Sequence, residues 1–235
     1  MSEQAKRTPS DLTPKRFARM VITRFAGLYI VLGLMFFLPA WTFNYWQAWV
    51  YMAILTVPRL FVVRYLYKYD PALLERRMRM REKQRTQKLV VWFSSFTVLV
   101  LFVIPGFDIR VGWSNVPLIA VVIADILVLF GYLIVALVFK TNTYASRIVE
   151  VEKGQKVVTT GPYAIVRHPM YLGMMILFTF SPLALGSYWA MLAAVPLIPL
   201  LVARIGGEEK ELLANLEGYK EYAMETKYRL LPGVW

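Results

Sequence analysis

Cysteine is absent from the 235 residues, and histidine occurs once, at position 168. Disulfides, thiolate nucleophiles and cysteine-based zinc sites are excluded together. One histidine cannot build a histidine-rich metal centre, so no metal is expected. Charge is also scarce. Charged residues make up 18% of the chain and hydrophobic ones 58%, where soluble domains carry about 25% and about 45–50%. That balance indicates a membrane protein. Acid is the scarcer sign: 15 Asp and Glu stand against 27 Lys and Arg, a formal charge of +12. A nucleic-acid partner is one reading of such an excess, so the placement of the basic residues decides it. Internal repeats and low-complexity tracts are lacking too. No cleavable leader is evident, because the polar start is long and basic, and the first apolar run reads as a retained span.

Four apolar runs lie before residue 140, at 20–39, 45–67, 89–105 and 116–139, near the length of about 20 residues that crosses a bilayer. Arg59 and Arg64 fall in the last turns of the second, where long side chains snorkel to the interface. Residues 169–205 form an apolar segment too long for one span. Ser181-Pro182 and Gly186-Ser187 interrupt its middle, which predicts a tight helical hairpin. The expected fold is all-α and polytopic, with about six transmembrane helices, the last two as a hairpin. A cytoplasmic amphipathic helix is expected over 208–227, where Leu212, Leu213, Leu216, Tyr219 and Ala223 recur at spacings of three and four. The organisation is then a tail at 1–19, four helices over 20–139, and a region at 140–235 containing the turn 161–173.

Two features in the first half carry open readings. Asp70-Pro71 starts a helix over 70–88, with Leu73, Leu74 and Met78 as a stripe among Arg76, Arg77, Arg79, Arg81, Lys83 and Arg85. It is either a surface helix held by anionic lipid at 76–88 or a solvated linker. Asp125 sits near the middle of the fourth run, where a carboxylate is costly unless paired or neutral. It either contacts substrate or a relay, or bonds a neighbouring helix.

The basic residues fall in four segments: six up to Arg24, nine over 64–88, five over 140–168 and five from Arg204 onward, or 25 of the 27. Six spans with both termini inside place every one of these segments on the cytoplasmic face. The charge is a topology signal, and no nucleic-acid partner is expected.

The residues able to do chemistry gather on that face. Gly161-Pro-Tyr-Ala-Ile-Val-Arg-His-Pro-Met-Tyr-Leu-Gly173 holds the lone histidine at a helix start. Backbone N–H groups there favour an anionic group, and Arg167 adds charge. Tyr163 and Tyr171 offer aromatic faces to a cation. Glu208 and Glu209 supply carboxylates, and Arg204, four residues before Glu208, shares its helix face. The set suits a zwitterionic cofactor beside an acidic substrate. Each member also has a plainer reading: a helix cap, interfacial tyrosines, first-turn acids, a snorkelling arginine.

This turn, followed by Arg204…Glu208-Glu209…Leu212…Tyr219-x-x-Tyr222…Arg229-Leu-Leu-Pro, resembles the C-terminal half of the isoprenylcysteine carboxyl methyltransferase and phospholipid methyltransferase superfamily over about residues 150–235. The resemblance implies S-adenosylmethionine as methyl donor and a lipophilic acceptor entering sideways from the bilayer. It places Tyr163, His168, Pro169, Met170, Tyr171 and the acid pair Glu208 and Glu209 on the cofactor pocket, Glu208 matching better. Arg167 and Gly173 belong to the same motif, and Gln155, Lys156, Val157 and Val158 align with a stretch that contacts the cofactor through its backbone. Arg204 faces the acceptor, and it shares the catalytic assignment with His168. A prenylated cysteine carboxylate, a phospholipid amine and a small lipophilic acid or thiol all stay open as acceptor. An amine would need a base, and His168 is the one obvious candidate. The absence of a Gly-x-Gly-x-x-Gly run argues against a soluble Rossmann methyltransferase. Two other classes remain: a membrane sterol- or steroid-type reductase using NADPH, whose extra phosphate Glu208-Glu209 would repel, and a non-catalytic lipid-binding protein.

Overall fold

Within a bilayer an unpartnered amide is costly, so an apolar chain of this kind must satisfy its backbone inside helices. A computed structural model describes residues 14–70, 73–74, 85–145, 151 and 154–235, and their regular structure is helical throughout. In chain order it comprises α1 (Pro14–Ala40), α2 (Trp46–Tyr69), α3 (Arg85–Val111), α4 (Leu118–Thr141), a 3-10 turn (Gly161–Ala164), α5 (Pro169–Ala184), the short α6 (Trp189–Leu192), α7 (Leu197–Asn215) and α8 (Tyr219–Glu225).

Five helical stretches among the described residues are long and apolar enough to cross a membrane: Phe17–Ala40, Trp46–Tyr69, Gln87–Val111, Leu118–Thr141 and Trp189–Asn215. The protein is a multi-pass integral membrane protein. The expected sixth crossing differs. α5 is apolar but only 16 residues long, about 24 Å at 1.5 Å per residue, against a hydrocarbon core of about 30 Å. It stops because the chain turns at 185–188, where Gly186 takes φ +78, a geometry that glycine adopts without strain.

Two other boundaries move. The loop expected from residue 106 is helical to Val111, since Gly106 is pressed onto α1, with the position of a Cβ only 2.6 Å from the Phe36 carbonyl oxygen. The helix expected over 208–227 is two pieces. Glu208 and Glu209 lie inside α7, and Gly218 at φ +80 separates α7 from α8. Leu216, Tyr219 and Tyr222 still pack together across that break, which is why the apolar spacing runs through it unaltered. Most of the 1–19 tail and of the 70–88 surface helix, with its 76–88 lipid contact, lies outside the described residues. At the start of that helix Asp70 caps the chain, its Oδ1 accepting from the Leu73 N–H at 2.9 Å.

The main core joins α1 to α5 through Phe36, Tyr51, Phe102, Val128 and Ala184. Phe36 meets Tyr51 and Phe102 edge-on at 6.0 and 5.7 Å. Tyr51 shares a 2.6 Å hydrogen bond with Ser181 Oγ, which donates in turn to the Leu177 carbonyl. α4 and α5 approach closest at Gly131 and Gly173, where a Cβ on either would lie 2.6 Å from the other's carbonyl oxygen. Small residues permit that approach in membranes, where close packing supplies the association energy.

The two ends of the bundle are fastened differently, one by apolar packing and the other by a buried carboxylate. At one end Phe17, Leu66, Leu73, Val138 and Met170 bring α1, α2, α4 and α5 together, with Phe17 stacked on Tyr67. At the other, buried Asp108 accepts from the Ser114 N–H at 2.7 Å and the Ser114 hydroxyl at 2.6 Å, and from the Ser187 hydroxyl. Tyr45 donates to the Leu185 carbonyl at 2.7 Å beside it. Asp125 is buried in α4 with Oδ1 making no hydrogen bond. It lies 17 residues before Asn142, about 25 Å along the helix from the site described below.

The Gly131–Gly173 crossing gives the first prediction. Gly131→Ala should destabilise the protein by about 1–3 kcal/mol through overpacking. Gly33→Ala, which meets nothing within 4 Å, should be neutral or stabilising, as alanine favours helix. Thermal unfolding in nanodiscs compares the two.

Candidate functional site

The site is built where the chain between α4 and α5 returns to the bundle. Asn142, just past α4, donates from Nδ2 to the Tyr163 hydroxyl at 2.8 Å. The Tyr163 carbonyl accepts from the Tyr222 hydroxyl at 2.8 Å. Burial pushes the Tyr222 phenol up to about 12, so it stays a neutral donor. The last segment then pairs with the turn: Arg167 N–H donates to the Tyr228 carbonyl and His168 N–H to the Arg229 carbonyl, both at 2.9 Å. The C-terminus is a strap along the turn's backbone.

One carboxylate locks these pieces. Glu209 Oε1 lies 2.9 Å from Arg167 Nε as an ion contact and accepts from His168 Nε2 at 3.3 Å. Its Oε2 accepts from Arg229 Nε at 2.6 Å. Arg167 also donates from Nη1 to the Ala223 carbonyl at 3.0 Å. The Glu209 side chain is 7% exposed and that of His168 3%, so this is a buried clamp between α7, the turn and the strap.

Beside the clamp lies an open cleft of about 850 Å³, its mouth included. Twelve of the expected site residues line it. Gln155, Lys156, Val157 and Val158 form one edge, with Tyr163 and Arg167 beside them; His168, Pro169, Met170 and Tyr171 form the α5 edge; Arg204 and Glu208 come from α7. Tyr171 links the last two: its hydroxyl donates to Glu208 Oε2 at 2.6 Å and accepts from Arg204 Nε at 3.3 Å.

Two expected residues do not line the cleft. Gly173 is spent on the α4–α5 crossing. Glu209 faces the clamp, about 100° around α7 from Glu208. His168 meets Glu209 through Nε2 and forms a buried wall of the cleft. One expectation weakens. The α5 N-terminus offers little to an anion: Pro169 has no N–H, and the Tyr171 and Leu172 N–H groups turn back onto the His168 carbonyl at 3.1 and 3.2 Å.

The cleft also holds residues that the sequence reading did not assign. Asn142, Tyr144, Glu211, Tyr219 and Tyr222 line it, and Gln87 of α3 accepts from Arg204 Nη1 at 2.7 Å behind it. The Tyr219-x-x-Tyr222 spacing was a usable signal for two of these; a polar residue closing an apolar run was the only one for Asn142.

Removing Glu209 should be felt as lost stability. Glu209→Ala strands the buried Arg167 guanidinium and should cost on the order of 3 kcal/mol. Arg229→Ala, at a side chain 42% exposed, should cost under about 1 kcal/mol. Denaturation of the reconstituted protein measures both.

Residues 119–219 match the family model for phospholipid methyltransferase. The match begins with α4, includes the turn, the hairpin, Arg204 and Glu208, and ends at Tyr219. No curated protein matches the chain.

Proposed function

We propose that the protein is an S-adenosylmethionine-dependent membrane methyltransferase of the phospholipid methyltransferase family, whose model residues 119–219 match, and that its cleft is divided in a particular way. Glu208 holds the cofactor, and Arg204 orients a carboxylate of a lipophilic acceptor entering from the bilayer. The observation that carries this reading is the Glu208–Tyr171–Arg204 bridge, which sets an anionic and a cationic group side by side on one wall.

The residues present suit the cofactor. Glu208 and Glu211 accept hydrogen bonds from an amine or hydroxyls, the polar edge at Gln155 and Lys156 can meet a carboxylate, and tyrosine rings flank the cleft. When bound, S-adenosylmethionine supplies a methyl group activated on a sulfonium. The protein's task is then positioning and exclusion of water. A guanidinium binds a carboxylate through paired hydrogen bonds, and a carboxylate needs no base. An amine headgroup is the alternative acceptor and would have to shed a proton, for which the Glu209-bound His168 is badly placed. A reductase reading loses support, since the phosphate of NADPH would meet Glu208 and Glu211. The cleft lies at the ends bearing most basic segments, which supports a cytoplasmic site with both termini on that side.

The test uses purified protein in nanodiscs. S-adenosylhomocysteine should bind saturably and NADPH should not. Glu208→Gln should weaken that binding about tenfold, the scale of one charge-assisted hydrogen bond, with thermal stability unchanged. Label from the methyl donor should enter N-acetyl-S-farnesylcysteine as a base-labile ester. Base-stable label in phosphatidylethanolamine instead would overturn the carboxylate assignment, and undiminished binding by Glu208→Gln would overturn the cofactor assignment.

A further inference from the structure

Resting on that reading of Arg204, we infer that Gln87 is a positioning residue for the acceptor-facing guanidinium, and that Gly207 is glycine to make room for it. Gln87 lies on α3, 117 residues before Arg204 in the chain and outside the 119–219 family match. It is 2% exposed. Its Oε1 accepts from Arg204 Nη1 at 2.7 Å. Tyr171 engages the opposite, Nε edge of the same guanidinium, so two elements hold one planar group by two of its edges.

The Gln87 side chain packs directly onto Gly207. Its Nε2 sits 1.7 Å from where a Cβ on Gly207 would be, and its Cδ 2.9 Å away, so any side chain at 207 expels the amide. The neighbouring Gly206 meets nothing within 4 Å. One glycine of the pair is therefore required by Gln87, and the other is not. The physical consequence concerns entropy. A free arginine side chain carries about 2 kcal/mol of rotamer entropy, which a bound acceptor would otherwise have to remove. Fixing the guanidinium beforehand lowers that cost and sets the plane in which a carboxylate docks.

The test reads Arg204 directly, so it does not depend on turnover. Nanodisc protein is treated with phenylglyoxal, and modification at Arg204 is followed by peptide mass spectrometry. Gln87→Ala and Gly207→Ala should each raise the Arg204 rate about tenfold, the scale of one charge-assisted hydrogen bond. Gln87→Glu, which keeps an acceptor oxygen, and Gly206→Ala should stay near wild type. Binding of S-adenosylhomocysteine should hold within about twofold in all four, while the KM for N-acetyl-S-farnesylcysteine rises about tenfold in the first two and kcat changes less. Unaltered Arg204 reactivity in Gln87→Ala and Gly207→Ala overturns the inference, as does unfolding of both, which would make Gln87 a structural link only. Failure of the wild type to methylate the probe would count against the proposed acceptor, and the Arg204 rates would still decide the role of Gln87.

Discussion

The Glu209 carboxylate is the interaction on which the site depends. Three chain segments that are distant in sequence converge on it: the turn through Arg167 and His168, α7 through its own backbone, and the strap through Arg229. Burying an ion is expensive, and only partners on both oxygens offset the lost hydration. Glu209 has them. The backbone pairing of Arg167 and His168 with Tyr228 and Arg229 follows the same seam, so charge and amide bonds reinforce one registration. The clamp occupies one side of α7 and leaves the next residue, Glu208, turned to the cleft.

The far end of the bundle uses the same device. Asp108 gathers the α3–α4 loop through Ser114 and the hairpin turn through Ser187, where the bilayer would otherwise leave loop amides unpaired. Between the two carboxylates the helices meet through aromatic edges and the Gly131–Gly173 approach. Packing without polar direction can slide; an anchor at each end sets the register of α5 against α4. Asp125 stands apart from this scheme: it is buried with an unpartnered oxygen.

Hydropathy made the helices legible, because a lipid-facing helix must be apolar along its length and α1 to α4 satisfy that within a few residues. The polar turn was legible through its proline and histidine. Contact direction was not. The resemblance favoured Glu208 over Glu209 for the cofactor pocket, but only the placement of Arg167 and Arg229 shows where Glu209 points instead. Asp108 was hidden because Pro105-Gly106 reads as a loop start, whereas close packing on α1 keeps the helix going. The break at Gly218 was masked by apolar spacing that continues across it. Gln87 lay among arginines and lysines that read as a lipid-facing surface, and its partner is 117 residues away.

The bridge at Tyr171 sets what the cleft can do. Its hydroxyl donates its one proton to Glu208 and so meets Arg204 as an acceptor. That order of donors fits an ionised Glu208 and a charged Arg204 held apart by a neutral group, rather than collapsed into a direct ion pair. In the proposed reading the separation lets one wall serve two ligands of unlike charge, the carboxylate toward a cofactor amine and the guanidinium toward an acceptor carboxylate. No general base is then required, because the acceptor arrives already ionised. Selection falls to geometry: an acceptor lacking a group for Arg204 would be held by its apolar part alone, and apolar burial fixes depth in the bilayer without fixing the orientation of the reacting atom.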